Sequence, residues 1–315
     1  MRQTAIFATS LLLLSMAASA ADPKLLNLVV PDAKVLAGVN VLQAKATPFG
    51  NYVISQVTAN NTGLQDFIKA TGFDPTQDVT EILASNADLQ SHAGILTAKG
   101  TFNTASIVAA AIKSGNHTVQ TYAGATLITA TANADSFAVA FVDGNLAIAG
   151  SVAQVQAALD RRNQANVIDP SLAAAVNQLS TTEDAWTISV ASLAGLFPTG
   201  SNAGQQLAIF QNIQQSSGGV KFGANVDVTG QAVTATAKDA NALGDVIKFV
   251  AQLVAMNAGK DPKAAEAATL LQNINVTTAG NTVNIGLTIP ESTIEGLAKM
   301  ITSPKVAAEK KAVLH

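Results

Sequence analysis

The sequence predicts an α+β protein with two similar halves and a mostly antiparallel sheet whose helices pack on one face. Apolar alternation typical of strands recurs in pairs joined by short turns at Ala123-Gly124, Asp143-Gly144 and Gly280-Asn281. Segments with helical spacing separate these pairs, which favours a helix-covered antiparallel sheet. Hydrophobic residues make up 48% of the chain but aromatic residues only 4%. A core of Ala, Val, Leu and Ile suits helices lying close to a sheet.

The chain begins with the features of a secretory signal peptide. Arg2 gives a cationic start, an apolar stretch is centred on Leu11 to Leu14, and Ala18-Ser19-Ala20 forms the A-x-A pattern of a cleavage site. The stretch is shorter than the roughly 20 apolar residues that span a bilayer. We therefore expect residues 1–20 to be removed after Ala20 and the mature chain to reach the periplasm or be secreted. An uncleaved amphipathic anchor is the alternative.

The first half, residues 21–180, is predicted to mix helices and hairpins. Asn103 is placed at the start of a helix, and Asp78 at the cap of a short helical segment, residues 79–83. The other predicted helices are 23–29, 49–57, 64–71, 152–162 and 170–179. The predicted strands are 34–42, 93–98, 118–122, 125–130, 137–142 and 145–149.

The second half, residues 181–303, is predicted to open with strand 185–193, where the single Trp186 is assigned to the core. A helix around residues 207–213 follows, then a hairpin of 219–228 and 232–238 turning at Gly230. Helices 241–257 and 262–271 precede a hairpin of 273–278 and 282–289, and Pro290 starts a last helix. Residues 304–315 are expected to form a flexible basic tail.

Two sequence similarities suggest that one unit is duplicated. The halves open alike, with VLAGVNVL at residues 35–42 and WTISVASL at residues 186–193. In addition, Asn225-Val226, Gly230 and Val233 are matched fifty residues later by Asn275-Val276, Gly280 and Val283. The alternative is that all hairpin-and-helix units look alike in Val, Thr and Gly.

The sequence assigns no catalytic, cofactor-binding or metal-binding residue. There are no cysteines, so disulfides, a lipid anchor on Cys and cysteine–zinc sites are excluded. Ser91 and His92 are the candidates for an unrecognised hydrolase site, although polar residues at a strand end explain them as well. Asp74 and Asp78 could share a cation, but turn and cap roles account for both. The net charge of −3, without a basic patch, argues against nucleic acid.

A non-catalytic binding or cell-envelope role is the favoured function, with an apolar small ligand or an envelope protein as the partner. Four phenylalanines are candidate lining residues for an apolar cleft, with ordinary core packing as the alternative: Phe49, Phe67, Phe197 and Phe210. A secreted hydrolase and a self-assembling surface protein are the alternative functions. An enzyme is not the favoured class, because no catalytic motif is found.

Three segments resemble a loose set of uncharacterised exported bacterial proteins. They are Pro31 to Val41, Gly72 to Val79, and Gly280 to Val283 followed by Ile289-Pro290-Glu291. The segments hold caps, turns and a helix start. The resemblance therefore implies the fold over most of the mature chain, and it implies no activity.

Overall fold

The computed structural model describes residues 21–59, 61–87, 94–130, 137–164, 168–191, 208–257, 268–271 and 273–294. Within these ranges the strands form a 12-stranded sheet in which each pairing is antiparallel. Helices separate the strand pairs. The predicted α+β class with a mostly antiparallel sheet is confirmed.

The described strands fall into two groups along the chain, the first of seven strands and the second of five. The first seven are β1 Val35–Asn40, β2 Val79–Asn86, β3 Ile95–Gly100, β4 His117–Tyr122, β5 Ala125–Ala130, β6 Phe137–Val142 and β7 Leu146–Ser151. The next five are β8 Ala185–Ser189, β9 Ile213–Phe222, β10 Asn225–Thr234, β11 Asn275–Ala279 and β12 Thr282–Pro290. Their order across the sheet is β11-β12-β10-β9-β8-β1-β2-β3-β7-β6-β5-β4.

The helices begin at polar caps or at proline, as helix starts require. In chain order they are α1 Pro23–Leu26, α2 Val41–Lys45, α3 Pro48–Ala59, α4 Thr62–Thr71, α5 Pro75–Asp78, α6 Thr104–Ser114, α7 Val152–Arg161, α8 Pro170–Thr182 and α9 Ala237–Asn257. A 3-10 helix, Ala208–Asn212, precedes β9. The caps Asn61, Asn103 and Asp169 each accept a backbone N–H of the first helical turn.

Helices lie against both faces of the sheet, so the prediction of a single covered face is wrong. Leu127 and Ala140 join a core with α1, α7 and α8, whereas their chain neighbours Ile128 and Phe141 join a second core with α6. Successive strand residues point to opposite faces. We call the side of Leu127 the A face and the side of Ile128 the B face. The registers place the core under α9 on the B face as well.

The hairpins at Ala123-Gly124 and Asp143-Gly144 are confirmed. Both residues of each turn have positive φ, at 46° and 78° in the first turn and 50° and 68° in the second. This is the type I′ geometry that matches the twist of the strands.

Two other predictions in the strands are wrong. Gly230 lies inside β10, paired with Gly218 and Ile285, and the hairpin turns between Phe222 and Asn225 instead. Residues 79–83 belong to β2, because the helical turn ends at Asp78. Since Gly230 is in a strand and Gly280 is in a turn, the fifty-residue match does not join equivalent positions.

The two groups of strands meet at the centre of one continuous sheet, where β1 pairs with β8. Trp186 is buried there, as predicted, and its indole occupies the space that a side chain at Gly38 would need. Each group adds strands outward from this pair. The similarity of the two halves, and a domain division near residue 180, stay predictions.

Candidate ligand-binding site

A cavity of about 710 Å³ lies between the B face and the helices α4 and α6. Its floor is formed by β3, β5, β6 and β7, with Ala98, Ile128, Val139 and Ala147 among the residues that face it. Its walls come from Phe67 on α4 and from Ile107 on α6. The lining is predominantly apolar, which is the usual character of a small-molecule site, and the volume lies within the usual range for such sites.

Four phenylalanines form a continuous chain along one wall of the cavity. The ring centroids are 6.1 Å apart for Phe67 and Phe73, 5.3 Å for Phe73 and Phe102, and 5.5 Å for Phe102 and Phe141. The first pair is nearly perpendicular, at 86°. Edge-to-face and tilted pairs of this kind stabilise one another beyond simple burial. The wall therefore holds its shape without a ligand.

The cavity exists because small residues on α6 face large residues on the sheet across a gap. Ala110 and Ala111 line the cavity from the helix, opposite Phe137 and Val139 of β6. The helix is fixed at both ends. Asn103 Oδ1 accepts the Ser106 N–H at 3.2 Å, and Gly115 ends the helix in the left-handed conformation with φ 72°. A helix fixed in this way cannot easily sink onto the sheet to close the space.

Polar side chains line the cavity alongside the apolar ones, at the C-terminal end of α6 and on α4. Ser114 Oγ lies 2.8 Å from His117 Nδ1, and the same hydroxyl donates to the carbonyl oxygen of Ala111 at 2.7 Å. Asp66 also lines the cavity and lies 3.6 Å from Lys69. These residues are exposed, so they give the cavity a solvated, hydrogen-bonding side.

A shallower groove continues the cavity along the B face towards β1. Its volume is about 390 Å³, and it shares Leu96, Phe137 and Ala149 with the cavity. Leu96 is 45% exposed and Phe137 59% exposed, although both are large and apolar. The two spaces together form an elongated apolar channel that opens to solvent over β3 and β6.

Of the four phenylalanines predicted to line a cleft, Phe67 does so. Phe49 is buried against Tyr52 and Phe222, with ring centroids at 6.3 and 5.4 Å. Phe210 packs instead in the core under α9. The fourth, Phe197, lies outside the described residues, as do Ser91, His92 and His315.

The sequence reasoning missed most of the residues that shape the cavity. Phe102 and Phe141 lie far apart in the chain and meet only across the sheet. His117 is the first residue of β4, and its pairing with Ser114 depends on the tight turn at Gly115. The one available signal was β6, in which Phe137, Val139 and Phe141 alternate with small residues.

Asp74 and Asp78 serve local structure. Asp74 Oδ1 accepts the Thr76 N–H at 2.9 Å and caps α5, and Asp78 Oδ2 accepts the Asp74 N–H at 2.8 Å. No group of three or more potential metal-binding side chains occurs among the residues that the structure describes. Over the same part of the chain, no helix combines the length and apolarity needed to cross a membrane.

Solved structures with a similar fold were found, although no protein-family model and no curated protein sequence matches the chain. Crystal form III of TP0453, a Treponema protein of unknown function, has a TM-score of 0.56 at 14% identity, covering 89% of this chain and 99% of that one. Crystal form IV gives the same TM-score and identity, with 91% and 98% covered. At this identity the likeness shows the fold alone.

Proposed function

We propose that this chain is an exported, non-catalytic binding protein that takes an apolar small ligand into the cavity between α4, α6 and the B face. One observation carries the proposal: a space of about 710 Å³, lined mainly by apolar side chains, remains open between α4, α6 and the sheet. Empty apolar space forfeits packing contacts. A ligand with matching apolar surface would restore them.

The shape and chemistry of the site suggest an elongated ligand with one polar group. The cavity and the adjoining groove share Leu96, Phe137 and Ala149, so one extended molecule could occupy both. Its polar group would lie beside Ser114 and His117, which offer a hydroxyl and an imidazole nitrogen. An amphiphile with an acyl or similar chain meets both requirements.

Export supports this role, because a periplasmic or secreted protein can carry poorly soluble molecules through water. The proposal of export rests on the cationic start, the short apolar stretch and the A-x-A pattern at Ala18-Ser19-Ala20. A soluble envelope or secreted carrier is then the simplest combination of the two features.

A hydrolase is the second candidate, favoured by the Ser114–His117 pair beside the cavity. A serine nucleophile requires a base in hydrogen-bond contact, and the 2.8 Å separation satisfies this condition. The hydroxyl also donates to the carbonyl oxygen of Ala111 on its own helix, which competes with activation by the imidazole. For this reason the binding role is preferred.

Filling the cavity tests the proposed function. Ala110→Trp places an indole in the cavity, and Ala109→Trp places the same side chain on the exposed side of the same helix. We expect the purified protein to release a co-purified amphiphile on organic extraction, detected by mass spectrometry. The A109W variant should retain it, and A110W should lose at least about nine-tenths of it, because an indole at this position obstructs the space between α6 and the sheet.

Two results would contradict the binding role. One is a wild-type protein that yields no bound amphiphile and does not bind a fluorescent fatty-acid probe. The other is equal ligand content in A110W and A109W when both melt as wild type does. Ester hydrolysis that disappears in H117A would instead support the hydrolase.

A further inference from the structure

The backbone nitrogen of Ala21, which would be the first residue after leader removal, lies in a buried and specific environment. The Ala21 N–H donates to Ser180 Oγ on α8 at 3.1 Å, across 159 residues of sequence. Ala21 is 7% exposed and its methyl group belongs to the core of the A face. Residues at the start of a domain are usually frayed unless they are tied down.

The geometry at Ser180 leaves an acceptor available for this nitrogen. Ser180 Oγ donates its single proton to the Val176 carbonyl oxygen at 2.6 Å, so its lone pairs are free to accept from Ala21. Both residues are buried. Ser180 Oγ can therefore accept a hydrogen bond from the Ala21 nitrogen, both as a backbone amide and as an α-ammonium group.

A carboxylate lies close to the same nitrogen. Glu81 on β2 accepts the backbone N–H of Asp22 at 3.0 Å. Successive backbone nitrogens lie within about 3.7 Å of each other, which puts the Ala21 nitrogen at most about 7 Å from Glu81 Oε1. Asp22 itself pairs with Lys99 at 2.5 Å, and Lys99 lies opposite Glu81 on β3. Lys24 also acts on Asp22, so the cluster holds two carboxylates and two ammonium groups.

We propose that Ser180 and Glu81 form a binding site for the mature amino terminus, created by cleavage between Ala20 and Ala21. In this step water adds across the peptide bond, catalysed by a signal peptidase. Ala20 leaves as a carboxylate, and the Ala21 nitrogen gains protons to become an α-ammonium group. One N–H of that group keeps its hydrogen bond to Ser180 Oγ, and its charge pairs with Glu81.

The site explains why cleavage at this bond would matter to the folded protein. Before cleavage the Ala21 nitrogen is an uncharged amide with one proton. Glu81 then lacks the added cation, and burial raises its pKa. After cleavage a positive charge lies at most about 7 Å from Glu81 Oε1, and an opposite charge close to a carboxylate favours its ionisation. Mature protein is therefore more stable than the same fold with its leader attached.

The inference depends on removal of the leader and does not depend on ligand binding. Its test combines two forms of the amino terminus with two residues at position 81. One form begins at Ala21 with a free amine, and the other carries Gly-Ser before Ala21. Each is prepared with Glu81 and with Glu81→Gln, and the unfolding equilibrium constant is measured by urea titration at pH 7.

In this cycle E81Q should raise the unfolding constant of the mature form about tenfold more than that of the extended form, equivalent to one pKa unit of interaction between the charges. Equal effects of E81Q in both forms would overturn the charge pairing. Lys34→Gln, remote from the cluster, is the control and should give equal effects. All variants should retain any bound amphiphile, so a failure here is distinguishable from a failure of the binding role.

A second measurement does not depend on the stability of a variant. When the full chain is expressed with its leader, the exported product should begin at Ala21 by intact mass and terminal sequencing. Its α-amine should react with an acylating reagent at least about tenfold more slowly in the folded than in the unfolded protein, because burial restricts access. A product that begins elsewhere, or equal reactivity in both states, would overturn the site.

Discussion

The two faces of strand β6 meet helices in opposite ways. On the A face small strand residues, Ala138 and Ala140, pack beneath large helical residues such as Val155 and Leu159, and no side chain in this set is more than 2% exposed. On the B face large strand residues, Phe137 and Phe141, lie opposite the alanines of α6, and a cavity remains. The contrast shows that one strand can border both a close-packed core and an open cavity. Which of these it forms depends on how side-chain sizes are distributed between the two layers.

Truncating a large apolar side chain should give the largest difference in unfolding free energy between the two faces. Leu159→Ala, in the filled core, is expected to lower the free energy of unfolding by about 3–5 kcal/mol, because it leaves a new cavity. Ile107→Ala, beside the existing cavity, is expected to cost about 2 kcal/mol, since little new cavity surface is created. Urea unfolding monitored by circular dichroism measures both. Equal losses would mean that the B face is packed as tightly as the A face.

Enlarging a small side chain should also destabilise the A face more than the B face. Ala140→Leu inserts three carbon atoms into a core without space, and we expect a loss of about 1–3 kcal/mol. Ala110→Leu points into the cavity and should change the unfolding free energy by less than about 0.5 kcal/mol. Thermal unfolding of the two variants side by side gives the comparison. A stable A140L protein would show that α7 can move away from the sheet.

A smaller effect than at Leu159 or Ala140 is expected at the rim of the A face, at Asp22. Burial raises the pKa of Asp22, but hydrogen bonds from Lys99 and from the Lys24 backbone N–H outweigh this, so the pKa lies below its ordinary value. A lowered pKa stabilises the folded state above the carboxyl's ordinary titration range, and this contribution is lost as pH falls through the folded-state pKa.

Asp22→Asn keeps a residue that can cap α1 and removes the charge. At pH 7 it should cost about 0.5–1 kcal/mol, since Lys99 is half exposed to solvent. The difference from wild type should shrink below about pH 4, because the carboxyl of the unfolded chain takes up a proton before the native carboxyl does. Unfolding free energies between pH 7 and pH 3 check this. A pH-independent difference would exclude the ion pair as its source.

The local parts of this fold were predictable from sequence and the distant pairings were not. Asp143-Gly144 specifies its turn because both residues adopt positive φ, which Gly and Asp tolerate. Gly230 was misread for the complementary reason: a glycine in an apolar run also signals close approach of backbones, and here it pairs with Gly218 in mid-strand. Helix positions followed from caps such as Asn103.

The sequence predicted the apolar character of the candidate site, but not which residues form it. Phe67 was correctly expected to line an apolar cleft, because it lies on the apolar face of an otherwise polar helix. Phe49 has the same chemistry, yet it packs against Phe222 from the second half. Nothing in the sequence near either residue distinguishes the two outcomes. The difference depends on which strands become neighbours, and that is a property of the whole sheet.

The pairing of β1 with β8 at the centre of the sheet has a consequence for the order of folding. Leu36 accepts a hydrogen bond from Thr187, and these residues are 151 positions apart. Pairing two strands so far apart in sequence has a high entropic cost of loop closure, and it slows the search for the native topology. A chain delivered amino terminus first would expose the open edge of β1 until residues 185–189 arrive. If the chain is exported unfolded, as proposed above, this delay would favour translocation over premature collapse.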